Sequence, residues 1–145
     1  VLTVALLGNT TSNPPVAGIL AGSSPVLNFF TGAGPTTNRN NKPTSVNFLD
    51  GGAAASLQNG TIGTPGNNQL TLATHLVQYV GFLLNCNDTG FPAYAGNPNM
   101  YEVHKFMNSS KAQFDYFDAA IANAALSLGV TVADVTPVGT ALNTL

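Results

Sequence analysis

Hydrophobic residues follow a helical period in the second half of this 145-residue chain. Within residues 67–86, Leu72, His75, Leu76 and Tyr79 fall at i, i+3, i+4 and i+7. That spacing places all four side chains on one face of an α-helix. The pattern therefore predicts an amphipathic helix that buries this face, and with it the histidine.

Three further helices are predicted in the second half. Residues 100–107 have the length of about two helical turns. A longer helix follows a cap at Ser109 or Ser110 and ends at Gly129, because a serine suits the position before a helix and glycine suits the position after it. Thr131 is a plausible cap for a last helix.

The first half lacks this regularity. A short helix is expected to begin at Pro14 or Pro15, since proline suits a first turn, and an apolar turn ends at Phe29–Phe30. Residues 31–66 are rich in Gly, Asn, Thr and Pro, which predicts a long irregular segment with a short turn of helix at residues 52–58. A loop of this length in a compact domain is usually functional or an insertion.

Length and charge limit what the chain does. It is expected to form one domain over residues 1–145, loop-rich over 1–66 and helical over 67–145. Four Lys or Arg residues and six Asp or Glu residues give a net charge of −2, so no basic patch is available to bind nucleic acid. The segment "VLTVALL" is too short to span a bilayer.

The low charge suits an exposed, extracellular or periplasmic setting, because few groups change charge with pH. Compositional drift explains it equally well. The first residue is Val1 rather than Met, which fits a secreted product after signal-peptide cleavage or an artificial start.

The remaining chemistry of the sequence is sparse. Cys86 is the single cysteine, so an internal disulfide and attachment of haem through two thioethers are both excluded; it is expected at a helix end or in the core. No Ser-His-Asp pattern, P-loop or pair of carboxyl groups for acid–base work is present. The chain is therefore not expected to be an enzyme.

The two histidines are the strongest candidates for binding chemistry. His75 and His104 each lie in an apolar helical pattern, and neutral imidazole is the commonest metal ligand. A structural zinc would need two more ligands, whereas haem needs only axial ligands. The apolar residues available to line a haem site, which equally well form an ordinary core, are Phe29, Phe30, Leu72, Leu76, Tyr79, Tyr101, Phe106, Met107, Phe114 and Phe117.

Four segments together resemble the truncated haemoglobins. "ATHLVQYVGFLLNC" is similar to the family's E helix, AHQxAFLxxxxGG. "YAGNPNMYEVHKFM" resembles the segment YxGxxMxxxH through Tyr94, Gly96, Met100 and His104, with one extra residue between the glycine and the methionine. "SSKAQFDYFDAAIANAALSLGV" is similar to the helix that follows, and "ILAGSSPVLNFF" to the segment that ends in a Phe-Phe pair.

The resemblance implies an all-α, truncated-globin-like helical sandwich around haem b, with a long irregular segment before the E helix. It implies that His104 is the proximal iron ligand and His75 the distal one. Lys105, which follows the proximal histidine, is a candidate to pair with a haem propionate, and an ordinary solvated lysine is the alternative. Iron with two histidine ligands suits electron transfer, with a redox protein or a neighbouring haem subunit as partner.

The chain departs from the family in three ways. Residues 31–66 separate the Phe-Phe pair from the E helix, Asn85–Cys86 stands where the family has a double glycine, and no tyrosine stands near residues 17–19, where the family has a distal tyrosine. The missing tyrosine argues against oxygen or nitric oxide chemistry, because in the family it donates the hydrogen bond that stabilises bound oxygen. A displaceable His75 would leave an oxygen- or nitric oxide-binding globin. The Gly, Thr and Asn content of the first half also fits a cofactor-free extracellular filament subunit, and self-assembly is left open in either case.

Overall fold

The computed structural model describes residues 1–50, 66–86 and 88–143. These residues are mainly helical and include one small two-stranded sheet, so the expectation of an all-α chain is only partly confirmed. In chain order the elements are α1 (Leu2–Leu7), α2 (Asn28–Thr31), β1 (Thr37–Arg39), β2 (Lys42–Thr44), α3 (Asn68–Leu83), α4 (Met100–His104), α5 (Lys111–Ser127) and α6 (Val132–Leu142).

The hairpin β1–β2 lies in a segment that the sequence predicts to be irregular. Its strands pair antiparallel, with Thr37 opposite Thr44, and its turn residues Asn40 and Asn41 have φ values of 54° and 60°. Asparagine tolerates this left-handed conformation, which suits a two-residue hairpin turn. Three-residue strands that include Pro43 carry no apolar alternation, so the sequence gives no strand signal there.

The helix boundaries predicted for the second half are largely confirmed. The Ser110 hydroxyl accepts a hydrogen bond from Gln113 N while the Gln113 side chain accepts from Ser110 N, a complete capping box at the start of α5. Gly129 follows α5 with φ 87°, a conformation that favours glycine. Thr131 caps α6, and α6 continues through Pro137 to Leu142.

The start of α3 is held from two sides. The Asn67 side chain accepts from Leu70 N at 2.9 Å. The Asp50 carboxylate accepts from Asn68 N at 2.8 Å and from Gln69 N at 3.1 Å, and these bonds lower the pKa of Asp50. A carboxylate at a helix N-terminus is stabilised by the free N–H groups there. Asp50 thus ties the end of residues 1–50 to the start of α3.

The helix predicted from Pro14 or Pro15 is wrong. Val16 instead pairs with Asn9 through both backbone hydrogen bonds, at 2.8 and 2.9 Å, so this segment runs beside the end of α1. The two backbones cross at Gly18, where a Cβ would lie 2.4 Å from the Leu7 carbonyl carbon. The extended path is therefore selected by a close backbone contact that only glycine permits.

The core joins the loop-rich first half to the last two helices. Its buried residues are Ala5, Leu6, Val16, Ile19, Val26, Phe30, Ala120, Ile121, Ala124 and Leu142. The first six of these ten precede residue 31. The irregular first half thus provides much of the apolar surface against which α5 and α6 pack.

The predicted buried face of α3 is only partly correct. Tyr79 is buried, and Leu72 and Leu76 are half-buried against the core, but His75 is exposed. His104 is exposed as well, and α4 has no buried residue. The 3.6-residue period locates a face to within about a residue, and the histidine lies at the margin of that face.

Cys86 is expected from the sequence at a helix end or in the core. It follows the end of α3 and is exposed, so the helix-end alternative is correct. The helix turn expected at residues 52–58 lies outside the described residues. Among the helices of the described ranges, none has the length and apolar character needed to cross a bilayer.

Candidate haem-ligand site

The His104 imidazole is oriented by its own helix. α4 begins after Asn99, whose side chain accepts from Glu102 N at 3.1 Å, and His104 is its last residue. The ring Nδ1 lies 3.1 Å from the Met100 carbonyl oxygen, one turn earlier. Since a carbonyl only accepts, Nδ1 carries the proton in this contact, and the lone pair of a neutral ring is then on Nε2. This arrangement presents Nε2 as the free ligand atom.

The hairpin anchors α4. The Asn38 side chain on β1 donates to the Glu102 carbonyl oxygen at 2.9 Å, and β1 is the element that packs against α4. The Lys105 ammonium lies 3.0 Å from the Glu102 carboxylate. A single helical turn is unstable alone, so the hairpin supplies the support that α4 lacks. No pattern in residues 31–50 indicates this role.

The pKa of His104 lies below its ordinary value. Desolvation of the ring lowers it, and the hydrogen bond to the Met100 carbonyl opposes this effect. The side chain is exposed, and contact with water limits the desolvation of the ring. The ring therefore remains neutral, and able to bind a metal, to a somewhat lower pH than an ordinary histidine.

His75 lies beside an aromatic cluster. Its ring is edge-on to Tyr94 at a centroid distance of 6.0 Å, and Tyr94 also contacts Tyr79 at 5.2 Å and Phe82 at 6.4 Å. Burial is the main cause that raises the pKa of both tyrosines, so their hydroxyls stay protonated. The buried Tyr79 hydroxyl has no hydrogen-bond partner among the described residues.

Tyr94 links the two histidine-bearing helices. Its ring covers Gly96, where a Cβ would lie 2.3 Å from the Tyr94 hydroxyl, and that hydroxyl donates to the Asn97 carbonyl at 3.3 Å. The loop then reaches Asn99, the cap of α4. Tyr94 thus contacts α3 directly and shapes the chain that leads to α4. Its match to the family's YxGxxMxxxH segment is the sequence signal for this position.

The predicted lining residues divide into two groups. Phe30 is buried in the core, and Phe29, Leu72, Leu76 and Phe117 pack against it. A second group is half-buried or exposed and lies outside this core cluster; it consists of Tyr101, Lys105, Phe106, Met107 and Phe114. Tyr79 is buried but lies outside the cluster too. The structure thus collects five lining residues in one core and leaves both histidines exposed.

The donor set fits haem at the histidines. His104 offers a free Nε2 with Nδ1 anchored, as metal-binding histidines usually do, and His75 is solvent-accessible. In the described part of the chain no three His, Cys, Asp or Glu side chains are grouped to hold a bare metal ion, a requirement that haem does not have. The apolar lining, however, is packed on itself, and two cavities in the described part of the chain have neither histidine in their walls.

No family model matches the chain, and neither does any curated protein or solved structure. The resemblance to truncated haemoglobins therefore depends on the quoted residues alone and remains a prediction.

Asp118 is a carboxyl-bearing residue outside the predicted site. It is half-buried in the wall of an apolar groove. The signal was present: Phe114, Asp118, Ile121 and Ala125 follow at i, i+4, i+7 and i+11. That spacing puts the carboxyl group on the apolar face of α5.

Proposed function

We propose that this protein binds haem b through His104, with His75 as the second axial ligand, and that it acts in electron transfer. The observation that carries the proposal is the contact between His104 Nδ1 and the Met100 carbonyl at 3.1 Å. A ring fixed in this way holds its proton on the inner nitrogen and turns the outer one to a ligand. Both residues of this contact belong to α4.

The bound haem would supply a one-electron iron couple, and the chain's residues would set its surroundings. His104 and His75 would hold the iron from the two faces. Tyr94, edge-on to His75, would limit rotation of that ring. The Lys105 ammonium pairs with the Glu102 carboxylate in this structure. In the haem-bound protein, Lys105 would pair with a haem propionate instead.

Electron transfer is favoured because two axial ligands leave no open position for a substrate. The aromatic cluster of Tyr79, Phe82 and Tyr94 would shield the distal ligand from water on one side. The partner would be a redox protein or a neighbouring haem subunit. A secreted setting, extracellular or periplasmic, remains part of the proposal.

The second candidate is a globin that binds oxygen or nitric oxide. His75 favours it, because only a ring contact orients this imidazole and no hydrogen bond to it is recorded in the described ranges. A ligand without an anchor is displaced more easily than one whose second nitrogen is held. In that case a small gas would replace His75 while His104 stays on the iron.

The test is a titration of the purified protein with haemin, followed by optical spectra before and after dithionite. Split α and β bands after reduction indicate low-spin iron with both histidines bound. A broad band that sharpens when carbon monoxide is added supports the gas-binding candidate. Absence of a saturable Soret band contradicts both and leaves the cofactor-free filament subunit.

Variants assign the two ligands. His104→Gly is expected to weaken haem binding by more than about 100-fold, beyond the usual effect of an outer partner, and added imidazole should restore the spectrum. His75→Ala should convert the spectrum to the high-spin form with a smaller loss of affinity. Thr74→Ala, an exposed neighbour on α3, is the control and should change neither.

A further inference from the structure

A groove of about 450 Å³ has no α4 residue in its walls. It runs between α1, the second half of α3, α5 and α6, and its walls are almost entirely aliphatic, with Val77, Leu84, Ile121, Val135 and Leu142 among them. Its volume is within the range of small-molecule sites, which are usually apolar with a few polar groups. The groove shares no residue with the proposed haem ligands.

The polar group of interest in this groove is the Asp118 carboxyl. Its Oδ1 is buried and has no hydrogen-bond partner among the described residues, while Oδ2 accepts a long bond from Asn143 Nδ2 at 3.3 Å. Burial, helped by the charge of Asp115, raises the pKa of Asp118 to about 6. A half-buried carboxylate with so little hydrogen bonding is costly, and a cation bound in the groove would offset that cost.

The charges around the groove define the ligand further. Asp134 on α6 is a second carboxyl group in its wall, and Cys86 is the one other titratable side chain there. Asp115 acts from the same helix, and α1 contributes no ionisable side chain. The described wall contains no Lys, Arg or His. Val1 with its amino group is also in the wall, so two carboxyl groups face one cation there. The net charge of the wall is negative, which repels carboxylates and attracts cations.

We propose that the groove binds an aliphatic amine, with the hydrocarbon chain against the aliphatic walls and the ammonium group paired with the Asp118 carboxylate in the wall. Asp134 adds a second negative charge to the same wall. A second copy of this chain is a poorer occupant, because a self-complementary contact would bring two acidic grooves together. The proposal is independent of haem binding.

The test is isothermal titration calorimetry of the whole chain with octylamine, octanol and octanoate at about pH 8, where Asp118 is ionised. Octylamine should bind saturably at one site, about tenfold more tightly than octanol, since a charged hydrogen bond distinguishes them. Octanoate should bind most weakly. Equal affinities for octylamine and octanol, or no saturable binding of octylamine, would overturn the proposal.

Variants identify the site. Asp118→Asn should reduce octylamine affinity to that of octanol, whereas Asp115→Asn makes the same charge change at an exposed residue paired with Lys111 and should stay within about twofold. Gly139→Leu places a side chain where a Cβ has open space in the groove wall, and leucine favours a helix over glycine. Binding of octylamine to Gly139→Leu with unchanged affinity would locate it elsewhere and refute the proposal.

The same interaction predicts a pH profile. At about pH 5 most of the Asp118 carboxyl is protonated, because its pKa is about 6. Octylamine should then lose most of its advantage over octanol, while octanol binding stays unchanged. An advantage that persists at this pH would show that Asp118 is not the group that holds the amine.

Discussion

The helices α4 and α5 are neighbours in the chain and opposites in construction. α5 has 17 residues, a complete capping box and four buried side chains, whereas α4 has five residues and no buried one. α5 is stabilised by the core it enters, and α4 by one side-chain hydrogen bond from the hairpin. The candidate ligand His104 lies on the weaker helix. The comparison shows that the candidate ligand lies outside the core that stabilises the fold.

The largest effect is expected from the core face of α5. Ile121→Ala removes a side chain that is 7% exposed and should reduce the free energy of unfolding by about 3 kcal/mol through lost burial and the cavity left behind. Val103→Ala, a half-buried position on α4, should cost less than about 1 kcal/mol. Urea unfolding measures both. Equal losses would contradict the division between the two helices.

The helix caps provide a matched pair of smaller effects. Ser110→Ala removes the capping box of α5 and should cost about 1.5 kcal/mol of global stability, near the upper part of the usual range. Asn99→Ala removes the cap of α4 and should reduce the global free energy of unfolding by less than about 0.5 kcal/mol. The reason is that α4 has no buried residue, so it is expected to unfold locally while the core stays folded.

Hydrogen exchange distinguishes local from global loss in this pair. In Asn99→Ala the amide of Val103, which donates to the Asn99 carbonyl, should exchange faster while the amides of α5 keep their rates. Faster exchange throughout the chain would mean that α4 and α5 unfold together.

A stabilising effect is expected at Asp118, the carboxyl group on the apolar face of α5. Its folded pKa of about 6 is above the ordinary 3.8, so the folded state binds the proton more tightly and stability falls as pH rises from about 4 to 6. Asp118→Asn should therefore stabilise the ligand-free protein by about 1 kcal/mol at pH 7, after allowance for solvent screening. The gain should vanish near pH 4, as thermal unfolding at the two pH values would show.

In the candidate site, as in the fold, the sequence predicted local features but not contacts between distant segments. The sequence identified both histidines, their helices and the residue Met100 whose carbonyl holds one ring, because these are local patterns. It misplaced His75 and His104 inside the core, since a period of 3.6 residues defines a face but not what covers it. It also gave no indication of Asn38, whose contact with α4 joins residues far apart in the chain.

The sequence alone thus determined the local interactions that begin and end the helices. The caps Ser110 and Thr131 and the end of α5 at Gly129 depend on groups within a few residues of each other, so residue type and spacing suffice. The core needed the tertiary structure, because Gly18 selects an extended path only when it meets the backbone at Leu7. The hairpin and the groove around Asp118 likewise arise from packing between distant segments, which spacing along the chain does not encode.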